Sequence, residues 1–79
     1  AARRQKLAPL RKELKDVERE IDALERKKAA LAASLADPAT FADPDRAEAA
    51  GRELRAVEER LARLEERWLE LGDAIDALA

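Results

Sequence analysis

Cysteine and histidine are both absent from this sequence, as are methionine and tyrosine. Without cysteine no disulfide can staple the fold, and nothing argues for an oxidising compartment. With histidine missing as well, a structural zinc site is excluded. The same gap removes the bases that activate nucleophiles. Ser34 and Thr40 are the only hydroxyl side chains, and neither can have a histidine base. Glycine occurs twice, at Gly51 and Gly72, so there is no Gly-rich loop to wrap a phosphate. The sequence therefore predicts no catalytic residues, no metal site and no cofactor on this chain. No apolar run approaches the ~18 residues of a membrane span, and no signal peptide is visible. A cytoplasmic location without membrane contact is expected. The chain opens Ala1-Ala2-Arg3 without an initiator Met, as expected of a piece of a longer protein or of a chain whose Met was removed.

Seventy-nine residues make a marginal globular core, because too little surface is buried relative to the unfolded chain. An idealised helix pair is the remaining solution. Ala, Leu, Glu, Arg and Lys dominate, and 43% of residues are charged, as in coiled coils and long helices. Leu7, Leu10, Leu14, Val17, Ile21, Leu24, Lys28, Leu31 and Leu35 alternate steps of three and four, a continuous heptad seam. Ala47, Ala50, Leu54, Val57, Leu61, Leu64, Trp68, Leu71, Ile75 and Leu78 repeat the rhythm. The expected fold is all-α: a two-helix antiparallel coiled-coil hairpin with helices over about 3–36 and 45–78 and a tip at 37–44. Each arm would be roughly 45–50 Å long at 1.5 Å per residue. Pro9 is read as a local start, with Ala8 pushed out of the α region and a separate helical stub before it.

The tip carries Asp-Pro twice, at Asp37-Pro38 and Asp43-Pro44. Each suits an N-cap followed by the first helical position, where proline's missing N–H costs nothing. The first pair predicts a single helical turn and the second the start of the long second helix. Phe41 is expected as a lid over the end of the seam, or as a docking residue at the tip. So short a connection makes the helices antiparallel neighbours. The register is ambiguous by one heptad, with Trp68 opposite part of Leu10 to Val17 in either case. On one edge Glu13, Glu20 and Lys27 can pair with Glu53, Arg60 and Arg67. The other edge, with Glu18, Glu25, Glu58 and Glu65, is mostly acidic and reads as a solvated face, with weak divalent-cation binding the alternative. Trp68 is expected in the core near the open end, with a partly exposed docking residue as the alternative. Lys28 is expected to snorkel and fix register. Gly51 and Gly72 weaken the second helix by ~1 kcal/mol each relative to Ala. Gly72 is read as a close approach or a soft final turn.

Arg3, Arg4, Lys6, Arg11, Lys12 and Lys15 stand against only Glu13 in the first fifteen residues. Contact with nucleic-acid phosphates is one reading of that cluster. Pairing with Glu70, Asp73 and Asp76, which return to the same end, is the other. No aromatic is interleaved with these bases, so any binding would rest on shape and charge rather than stacking. A monomer is expected, with weak self-association into a four-helix bundle as the alternative.

Three segments together resemble the C-terminal coiled-coil domain of ABC-F ATPases. They are Leu7-Ala8-Pro9-Leu10-Arg11-Lys12-Glu13, then Leu35-Ala36-Asp37-Pro38 with Phe41, then Glu65-Glu66-Arg67-Trp68-Leu69-Glu70-Leu71. The resemblance implies a parent chain with two ATP-binding cassettes, which would hold the ATP and Mg, and no membrane span. It implies association with the ribosome, and contact of this hairpin with DNA or ribosomal RNA as in some members. The tip, from Leu35 to Arg46, also resembles the N-terminal helical region of bacterial peptide-chain release factors. That likeness covers a shorter stretch and leaves Trp68 and its surroundings out.

Overall fold

The computed structural model describes residues 2–79, and helix α1 runs without interruption over Ala2–Ala36. A single turn, α2, covers Pro38–Phe41, and α3 covers Pro44–Leu78. The two long helices pack antiparallel into a rod with extents of 61 × 14 × 14 Å. Thirty-five residues give each arm about 52 Å at the α-helical rise.

Every expected seam position is buried or half-buried except Trp68. Leu71 is fully buried, and with Val17 and Leu64 it forms the centre of the core. Leu10, Leu14, Ile21 and Leu24 pack against that centre. Lys28 is half-buried, as a snorkelling side chain requires. The register is marked by three ion pairs along one edge: Glu13–Arg67 at 2.6 Å, Glu20–Arg60 at 2.9 Å and Lys27–Glu53 at 2.8 Å. Each step of seven residues along α1 is matched by a step of seven back along α3, which resolves the one-heptad ambiguity.

The tip is built by its two aspartates. Asp37 lies in an extended conformation (φ −76°, ψ 125°), and its carboxylate accepts the Ala39 N–H at 2.9 Å. Asp43 is extended too (φ −114°, ψ 98°), and its carboxylate accepts the Arg46 N–H at 3.3 Å. Residues before proline are driven to this region, so each Asp is both stopped from being helical and placed to cap. The Asp37 N–H donates to the Ser34 carbonyl and the Asp43 N–H to the Thr40 carbonyl, so the chain reverses with its backbone groups satisfied. Asp45 sits in the first turn of α3, where the helix dipole favours it.

Pro9 corrects one expectation. It lies inside α1, not at its start, and no separate stub precedes it. Its ring points to solvent, and the carbonyl left without a partner lies in the outer turns, where water can replace the lost bond. Gly72 corrects a second. Nothing lies within 4 Å of where its Cβ would stand, so no close approach requires a glycine. Among the described residues no helix is long and apolar enough to cross a membrane.

Candidate functional site

Arg3, Arg4, Lys6, Arg11, Lys12 and Lys15 all lie on the first turns of α1 and all are exposed. Among the described residues none of the six takes part in a salt bridge. Glu70 is taken by Arg67 at 3.0 Å, and among the described residues Asp73 and Asp76, both exposed, are in no salt bridge, so the bases are not paired with the returning acids of α3. Helical spacing sorts the six bases. Arg4, Arg11 and Lys15, separated by seven and four, share one face, with Lys12 beside them. Arg3 and Lys6 are turned toward other flanks of the helix.

Glu13, the single acid among these bases, does not neutralise them. Its carboxylate faces Arg67 across the seam and accepts two hydrogen bonds, from Nε at 2.6 Å and Nη2 at 2.9 Å. Those hydrogen bonds, with a smaller charge attraction, hold the Glu13 carboxyl below its ordinary value of 4.5. They also raise the Arg67 guanidinium, as its hydrogen bond to Glu70 does further. Arg60 is raised in the same way by its hydrogen bonds to Glu20.

At the tip, Thr40 rather than Phe41 turns inward. Thr40 is buried, and its hydroxyl lies 3.4 Å from that of Ser34. Phe41 follows about 100° further round the same turn and is therefore 77% exposed. It is no lid. It lines a shallow depression with Ala36, Pro38 and Ala42.

Trp68 also departs from the core expectation, being 43% exposed. Val17, Leu64 and Leu71 form the buried cluster between the helices, and the indole is not part of it. The ring lies along the edge instead, and its Nε1–H donates to Glu18 Oε2 at 3.4 Å. It lines a groove with Glu18, Ile21 and Glu25, further toward the tip than Leu10 to Val17. Side chains lean toward their own helix N-terminus, so in an antiparallel pair Trp68 and Ile21 lean toward each other. Leu69, 60% exposed, is a residue that seam counting passes over. Its signal is an apolar residue one place after a seam position.

Among the described residues no group of three or more carboxylates is arranged to hold a metal ion. Both glycines are within α3, and among the described residues none has positive φ.

The family model described as ABC transporter C-terminal domain matches residues 9–73. The match runs through Trp68, which the release-factor likeness at the tip does not reach. No curated protein and no solved structure matches the chain.

Proposed function

The chain belongs to the ABC transporter C-terminal domain family, the C-terminal arm typical of ABC-F proteins, and on that footing we propose that it is a non-catalytic arm that contacts nucleic acid through its basic open end. One observation carries the reading. Six bases crowd one end of a 61 Å rod, and the one acid among them is held by Arg67 on the far side of the seam. Unneutralised lysines and arginines on a rigid helix suit phosphate contact, which is electrostatic and indifferent to sequence. Arg4, Arg11, Lys12 and Lys15 span about 16 Å along one side of α1 at 1.5 Å per residue, the reach of several successive phosphates. DNA and ribosomal RNA both offer that chemistry. Deleting residues 1–79 from the parent ATPase should weaken its ribosome or nucleic-acid association while leaving its cassettes intact. Unchanged association would sink the proposal.

A protein-docking arm is the second reading, favoured by the exposure of Phe41 at the tip. It assigns the effect of the deletion to the tip. Phe41→Ala would then reproduce it, and neutralising Arg4, Arg11 and Lys12 would not.

A further inference from the structure

The two edges of the hairpin are unlike. On one, Glu13, Glu20 and Lys27 each meet an opposite charge on α3. On the other, Glu18, Glu25 and Glu65 gather along one groove with Trp68, like charges beside an exposed indole. Leu69 stands exposed on the same helix, and open space surrounds the Cβ position of Gly72.

Arg4, Arg11, Glu18 and Glu25 recur at seven-residue steps, which sets them in one row along α1. All four are exposed, and among the described residues none is in a salt bridge. The row therefore carries two positive charges followed by two negative ones. Turned end for end about a two-fold axis between Arg11 and Glu18, it is its own complement. Arg11 then meets Glu18 of a second copy, and Arg4 meets Glu25. Arg67 faces Glu13, so the backbone at Trp68 and Leu69 stands beside the midpoint of the row, and the indole leans from there toward the tip to reach Glu18. An exposed aromatic at the centre with charges to either side is the anatomy of a protein interface.

We propose that this edge is a homodimer surface on which two copies of the chain pair antiparallel into a four-helix arrangement, with Trp68 and Leu69 of each copy flanking the two-fold axis. The interface is isologous, as two-fold symmetry requires. The acidic groove alone would accept any cation; the two arginines at matching spacing single out a second copy. Arg4 and Arg11 also belong to the nucleic-acid reading, so pairing and phosphate contact compete for them; the test is run without nucleic acid, so the two proposals fail separately.

Sedimentation equilibrium of the 79-residue chain at low salt should give a mass that climbs with concentration from 8.8 kDa toward twice that value, and falls back as salt is added. Arg11→Glu and Glu18→Arg should each weaken association at least about tenfold, because every contact of the row occurs twice. The double variant leaves net charge unchanged and should restore it. Circular dichroism follows helicity throughout, and Arg4→Glu with Glu25→Arg provides a second swap if the first pair disturbs folding. A chain that stays at 8.8 kDa at every concentration overturns the proposal. So does a dimer that ignores the single reversals, or one that neither double swap restores.

Discussion

The Arg67 guanidinium holds the Glu13 carboxylate by two hydrogen bonds, although 54 residues separate them in the chain. Nε and Nη2 each meet a different carboxylate oxygen, so the fork fixes orientation as well as distance. Glu13 binds its proton less readily folded than unfolded. Its contribution to stability is therefore complete above pH 4.5 and is lost as pH falls through the lower folded value. Melting temperature against pH should show the native chain more stable than Glu13→Gln near neutrality. The gap should close in acid. Arg67→Lys should also lower the melting point, because an ammonium cannot make the bidentate contact.

The core claim is tested by neighbours. Leu71→Ala removes the one fully buried large side chain among the described residues and should cost about 2–5 kcal/mol in urea unfolding. Leu69→Ala, two residues away and largely exposed, should stay within about 0.5 kcal/mol of the native chain at dilutions where it is monomeric. Equal losses at the two positions would show that the seam is misplaced.

Both glycines lie in helical backbone with open space at the Cβ position. Gly51→Ala and Gly72→Ala should each stabilise the hairpin by about 0.5–1 kcal/mol, through lower entropy of the unfolded chain and better helix propensity. A destabilised Gly72→Ala would mean that something packs there.

Asp43 caps the first turn of α3 through the Arg46 N–H. Asp43→Ala should cost about 0.5–2 kcal/mol, and Asp43→Asn clearly less, since an amide oxygen still accepts that hydrogen bond.

The hairpin was readable in advance because its determinants are periodic or local. Heptads mark the seam, Asp-Pro marks each cap, and the charges at Glu13, Glu20 and Lys27 match their partners in one register. What the sequence did not disclose depends on fit across the pair. Trp68 occupies a seam position by count, but its ring lies along the edge, in one groove with Ile21 and hydrogen-bonded to Glu18. Phe41 is turned outward because Thr40, its neighbour in a single turn, takes the inward place. Pro9 continues its helix because its ring meets only solvent. For the basic end, the cluster was visible from residue order alone. That Glu13 is engaged elsewhere, and that the acids of α3 leave the cluster unpaired, required the folded arrangement.

The most direct test of the account is the salt dependence of nucleic-acid binding by the 79-residue chain. Anisotropy of a labelled duplex, DNA or RNA, would be followed from about 50 to 200 mM salt, where log affinity should fall against log salt with a slope of about −3 to −5. Replacing Arg4, Arg11, Lys12 and Lys15 with Gln should remove most of the binding and flatten the slope. Absence of binding at the lowest salt, or binding that neither salt nor those replacements change, would contradict the account.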